Sequence, residues 1–267
     1  MTASQLYQSG QLQQAVASAT QAVKERPTDA TSRWLLCELL CFSGDLTRAD
    51  LQLDAIGQQD MKLAVGVSQF RHLIRAEQAR QQFYSEGRVP EFLDQPSEEL
   101  KLRLEASIRV REGAVSEAAK LLEKAEELRR PLAGKCNGKA IGDFRDLDDL
   151  SASYLEVLTS NGKYYWVPLE RVDRIEFTAP QRARDLIWRA ASLAVQSGPD
   201  GQVYVPVIYP ATSAQQEERL KLGRATEWQG GDGAPTRGLG QRTFLAGEED
   251  LSIMQIETVE FTPARAG

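Results

Sequence analysis

A six-residue signature returns along the first half of the chain, and it limits the possible folds more than any other feature. Gly10-Gln-Leu12-Gln-Gln-Ala15 recurs 34 residues later as Gly44-Asp-Leu46-Thr-Arg-Ala49, and again as Gly113-Ala-Val115-Ser-Glu-Ala118. Self-similarity at such a period marks stacked helix pairs, because one pair cannot bury its apolar face alone. The Gly suits the turn between two antiparallel helices, and the small Ala lets the helices approach closely.

Other positions fit the same unit. Ala22 and Pro27 close the first repeat, and Ala125 with Pro131 closes the last. Trp34, Leu36, Leu40 and Phe42 precede Gly44, while Ala49, Leu53 and Ile56 follow it, so both helices of that pair carry an apolar stripe. Residues 61–95 fill one further repeat length without the signature, and Val65, Phe70, Leu73, Ile74 and Phe83 suggest one long helix or a pair. Residues 1–130 are therefore expected to form a tetratricopeptide-like domain of α-helical repeats. Such a stack offers a concave groove that takes a peptide or a partner helix. Matching the repeats to their consensus puts Trp34, Glu38 and Phe42 on the inner helices of that groove, with Arg103 and Arg111 of the last unit.

The texture changes at Arg129. Residues 131–150 combine turn formers with the acidic cluster Asp143, Asp146, Asp148 and Asp149, and read as a linker. Beyond it, Tyr154–Thr159 and Lys163–Pro168 flank Asn161-Gly162, a strong hairpin signal. Strands are also expected at Val172–Phe177, with Val172, Arg174 and Glu176 facing away from Ile175 and Phe177, at Asp185–Arg189 extended toward Val195, at Val203–Tyr209, and as one run at Leu251–Phe261. The glycine-rich stretch 230–240 reads as a flexible loop. The fold class is thus α+β as two segregated domains, with residues 151–267 forming a small, mostly antiparallel β-barrel-like domain.

Composition narrows the function. Thirty-two Lys and Arg against 38 Asp and Glu give a net charge of −6, which argues against a dedicated nucleic-acid binder. Three Cys make no disulfide framework and point to a reducing compartment. The start lacks a basic and apolar leader pattern, and no stretch is apolar enough to span a membrane, so a cytoplasmic protein without a membrane partner is expected. The single His, His72, removes multi-histidine metal sites and reads as an ordinary side chain.

The remaining candidates have plain readings. Cys37 and Cys41, four apart on one helix, make only half a metal site and read as core. The aspartate cluster lacks the alternate spacing of a calcium loop, and reads as caps and pairs with Arg145 and nearby Lys residues. Gly134–Ala140 misses the phosphate-loop spacing and its hydroxyl. Arg224, Glu227 and Trp228 are the hardest to dismiss: a guanidinium fork and an aromatic anchor beside Gly223 could form a contact site, or a structural Arg–Glu pair. No cofactor, metal ion or catalytic residue is expected.

Several segments together resemble one family. These are Asn137-Gly138, the Asp143–Asp149 cluster, Tyr164–Pro168, Asp185–Trp188, Tyr204–Pro210, Leu222–Trp228 and Gly238–Arg242. They are similar to the ImpE family, also called SciE or TagJ, across essentially the whole chain. The resemblance implies a non-enzymatic accessory protein of bacterial type VI secretion. It implies as partner an amino-terminal helix of the small contractile-sheath subunit and, indirectly, the AAA+ unfoldase that recycles contracted sheath. Two alternatives stand beside it: a small-molecule-binding or hydrolytic β domain using Arg224, Glu227 and the aspartates, and a generic cochaperone-like repeat adaptor.

Overall fold

The computed structural model describes residues 1–262. Helices α1 (Ala3–Gln8) and α2 (Leu12–Glu25) form the first antiparallel pair, and α3 (Ala30–Phe42) and α4 (Leu46–Gln59) the second. Their ends follow from side chains that satisfy the first free N–H groups: Thr2 forms a capping box with Gln5, and Asp29 and Asp45 accept from Thr31 and Arg48. Gly10, Gly44 and Gly113 take φ of +85°, +81° and +79°, the left-handed backbone that ends the first helix of each pair. Helix α5 (Ala64–Glu86) is a single long helix, so the unit without the signature is not a hairpin. Helices α6 (Glu98–Arg111) and α7 (Val115–Leu128) make the last pair, with a small core of Ala106, Ala118, Leu122 and Leu150.

The second half opens earlier than expected. Strands β1 (Gly134–Cys136), β2 (Lys139–Ile141) and β3 (Phe144–Asp146) occupy the stretch read as a linker. Then come β4 (Tyr154–Thr159), β5 (Tyr164–Pro168), β6 (Val172–Phe177), β7 (Trp188–Val195) and β8 (Gly201–Pro206), followed by the one-turn helix α8 (Glu218–Lys221). The glycine-rich stretch is a hairpin and not a loop: β9 (Thr226–Gly231) pairs with β10 (Ala234–Gly240). The expected Leu251–Phe261 strand is two elements, because a turn separates β12 (Glu249–Ser252), which pairs with β11 (Thr243–Ala246), from β13 (Thr258–Phe261). Val172 is buried with Ile175 and Phe177, against the expected alternation, because the register with β7 shifts between Val172 and Arg174.

The barrel expectation is corrected by the strand order. Eight antiparallel strands run β2-β1-β13-β6-β7-β8-β4-β5, and the terminal strands β2 and β5 do not pair with each other, so the sheet stays open. One face packs on the small sheet β12-β11-β3, where Phe144 and Phe244 stack at 5.1 Å. The other face packs on the helical repeats. Tyr154, Leu158, Tyr164, Trp166, Trp188 and Tyr204 share one apolar cluster with Leu36, Leu40, Phe70, Ile74 and Phe83 of α3 and α5. Rings interlock across this joint: Phe70 with Trp188 at 6.1 Å and Phe83 with Trp166 at 4.9 Å, both edge to face. The halves are distinct in sequence and continuous in core.

Candidate functional site

The joint is also where the charges gather. Glu156 stands in the middle of β4, fully buried, in a run whose neighbours on both faces are apolar. It accepts from Arg80 Nε at 3.0 Å and Nη2 at 2.9 Å, from Tyr84 at 3.0 Å, from Tyr164 at 2.5 Å and from Arg242. Arg242 also donates to Asp146 at 2.9 Å, and the Tyr209 hydroxyl donates to the other Asp146 oxygen at 2.7 Å. Arg80 reaches Glu77 at 3.1 Å, which in turn accepts from the Trp188 indole at 3.0 Å. A buried carboxylate stays charged only when partners replace its water. At Glu156 burial acts to raise the pKa, but Arg80 and Arg242 outweigh it and hold the carboxyl down to about 2. At Asp146 burial wins over Arg242, and the carboxyl is pushed up to about 6. These groups fasten helix α5 to the sheets, and each carboxylate is saturated with donors.

The aspartate cluster is spent in the same way. Asp143 takes a two-pronged bond from Arg129 at 2.9 and 2.7 Å and accepts from the backbone of Leu132 and Phe144. Asp148 accepts from Arg237 at 3.0 Å and from Gly238 N–H at 2.9 Å, and Asp149 accepts from Thr236 N–H. The partners are Arg129, Arg237 and Arg242 rather than the expected Arg145. Among the described residues no group of His, Cys, Asp and Glu has the geometry to hold a metal ion. Cys37 and Cys41 are buried in the helical core, where burial pushes both thiols up.

The residues expected to line an open groove are turned inward. Trp34 packs on Phe70 at 5.6 Å, and Phe42 on Tyr7 at 5.6 Å. Glu38 is buried beside Arg184, which precedes β7, and burial raises its carboxyl. Arg103 is 1% exposed and bonds to Glu99, Glu126 and the Asp149 carbonyl. Arg111 donates to the Phe83 carbonyl at 3.2 Å. Trp34 and Phe42 are covered by α5 and α1 of the repeats themselves, and Glu38 by the segment that precedes β7.

Arg224, Glu227 and Trp228 do not converge either. Arg224 donates to the carbonyls of Tyr7 and Gln8 at 2.7 and 2.9 Å, ending helix α1, and lies over the Tyr7 ring. Glu227 pairs with Arg219 and not with Arg224. Trp228 meets Tyr209 edge to face and is otherwise exposed. Arg224, Glu227 and the aspartates are each engaged with different partners rather than with one another.

Among several open clefts, one of about 240 Å³ lies where the first two repeats meet the α8 segment. Leu12 and Val16 form its apolar floor, and Arg48, Gln216, Glu218 and Lys221 its rim. Glu218 fixes one wall by accepting from Gln13 N–H at 2.6 Å, at the start of helix α2. The sequence gives little sign of this cleft, because its walls are about 200 residues apart in the chain. The buried network had one visible signal, a Glu inside the otherwise apolar Tyr154-Leu-Glu-Val-Leu158.

Comparison with known proteins matches this architecture. A family model described as ImpE protein fits residues 138–260, and a tetratricopeptide repeat model fits residues 6–65. Over 266 residues the chain is 29% identical to the type VI secretion system accessory component TagJ of Pseudomonas aeruginosa, spanning 100% of this chain and 93% of that protein. The crystal structure of protein VPA1032 from Vibrio parahaemolyticus superposes with a TM-score of 0.92 at 29% identity, covering 99% of this chain and 98% of that one. Sharing both the repeat half and the sheet half with these proteins, the chain resembles the ImpE/TagJ family along its whole length.

Proposed function

We propose that the chain is a non-enzymatic adaptor of bacterial type VI secretion that grips an amino-terminal amphipathic helix of the small contractile-sheath subunit. Through the sheath it is linked to recycling by the AAA+ unfoldase. The observation that carries this reading is the cleft over Leu12 and Val16. It has an apolar floor for one face of a helix and two cations, Arg48 and Lys221, on its rim for acidic residues beside that face. In this reading it takes over the role expected of Trp34, Glu38, Phe42, Arg103 and Arg111, whose side chains are engaged within the fold. The non-enzymatic part is supported by the carboxylates, each of which is committed to an internal partner. The sheath partner puts this activity in the cytoplasm. No helix among the described residues is long and apolar enough to cross a membrane.

The test is a pull-down of the sheath heterodimer by the full-length chain. Val16→Glu and the pair Arg48→Glu with Lys221→Glu should each abolish capture while the circular-dichroism spectrum stays that of the folded parent. Capture that survives both changes would remove the cleft from the interface. Failure of the parent chain to capture the heterodimer at all would end the sheath reading. Separate halves are unsuitable, since each would expose the aromatic joint.

A further inference from the structure

The β9–β10 hairpin has one satisfied edge and one open edge. Gln241 donates its backbone N–H to the Ala225 carbonyl at 2.8 Å, which fixes the parity of the ladder. Thr226 lies opposite Gly240 and Trp228 opposite Gly238, so all four residues point their N–H and C=O groups out of the hairpin. On the β10 side these groups are used: Gly238 N–H donates to Asp148 at 2.9 Å, Gly240 N–H donates to Thr212 at 2.7 Å, and Gly240 C=O accepts from Tyr209 N–H at 2.9 Å. On the β9 side the N–H and C=O groups of Thr226 and Trp228 meet no hydrogen-bond partner among the described residues. Trp228 stands on this edge, 43% exposed, supported only from one side by Tyr209. Soluble proteins commonly guard such an edge with Lys or Pro, and Thr226-Glu-Trp-Gln229 contains neither.

We infer that β9 is an interface on which a second copy of this chain docks, strand against strand. A two-fold axis through Trp228 pairs the two strands antiparallel, and each Trp228 exchanges backbone hydrogen bonds with its counterpart. The same register sets Glu227 of one copy opposite Gln229 of the other, a carboxylate facing an amide donor, and Thr226 opposite Gly230. Moving the axis to Glu227 would also match the backbone groups, but it would bring two carboxylates face to face. Of these two registers, the sequence of the edge favours the one through Trp228, in which no like charges meet. The resulting sheet runs across both copies as β10-β9-β9-β10. This inference stands apart from the sheath reading, since it uses none of the cleft residues.

Sedimentation equilibrium of the full-length chain over the micromolar range tests it. The parent should show a reversible monomer–dimer equilibrium. Gln229→Glu, which places a carboxylate opposite Glu227, should weaken the dimer roughly fivefold, and Gln229→Lys should tighten it by a similar factor. Residue 229 is exposed, so neither change touches the core. Trp228→Pro removes an outward N–H and no bond within the hairpin, and should leave only monomer. A parent chain that is monomeric throughout overturns the inference, as does a dimer of equal strength in both Gln229 variants.

Discussion

Arg80 of α5 and Glu156 of β4 face each other across the joint between helices and sheet, joined by hydrogen bonds of 3.0 and 2.9 Å with almost no contact with water. The pair, with Arg242 behind it, replaces the hydration that each charge gives up on folding.

Removing one side of that arrangement should be costly. Glu156→Gln leaves Arg80 and Arg242 buried with less negative charge beside them, and is expected to destabilise the fold by about 3–5 kcal/mol. Urea unfolding followed by tryptophan fluorescence measures this directly. A loss below about 1 kcal/mol would mean that the guanidinium groups find other partners.

The same carboxylates give a pH profile with two opposed limbs. Glu156 is held at about 2 against an ordinary 4.5, so its contribution is complete above 4.5 and disappears as the pH falls through 2. Asp146 behaves oppositely. Its pKa rises from 3.8 to about 6, the folded chain holds its proton more tightly, and that contribution is present below 3.8 and lost as the pH rises through 6. Melting temperatures taken in small pH steps should show both limbs, and Asp146→Asn should flatten the upper one alone.

Gly238 carries a steric requirement. A Cβ there would stand 2.2 Å from the Tyr209 ring, whose hydroxyl is tied to Asp146. Gly238→Ala should therefore lower stability by about 1–3 kcal/mol through forced repacking. Circular-dichroism melts would read the loss, and a variant as stable as the parent would show that Tyr209 has room to move.

Arg224 ties the amino-terminal helix to the sheet half through the carbonyls of Tyr7 and Gln8. Arg224→Ala should cost about 1–2 kcal/mol locally and speed amide exchange across Ala3–Gln8, with little change in the global melt. Hydrogen-exchange mass spectrometry separates this from general destabilisation, in which protection would fall throughout.

The sequence showed much of this architecture where the determinants are local. Gly10, Gly44 and Gly113 mark helix turns because the backbone there is left-handed, and Asn161-Gly162 marks a hairpin for a similar reason. Closure of the sheet is not local. Strand spacing is the same whether or not β2 and β5 meet, so an open sheet read as a barrel. The concave face of the repeats looked free because nothing in Trp34 or Phe42 records that Trp188, some 150 residues later, packs into the same cluster. The pairs Asp146–Arg242 and Glu156–Arg80 were invisible on the same ground, being brought together only by the finished fold.

The joint between repeats and sheet has a corollary for modularity. Tetratricopeptide units usually behave as interchangeable parts, because each touches only its neighbours. Here α3 and α5 are shaped to one particular set of aromatic rings, Trp166 and Trp188 among them. Neither half can be traded for a counterpart from another protein without redrawing the surface of the one that remains.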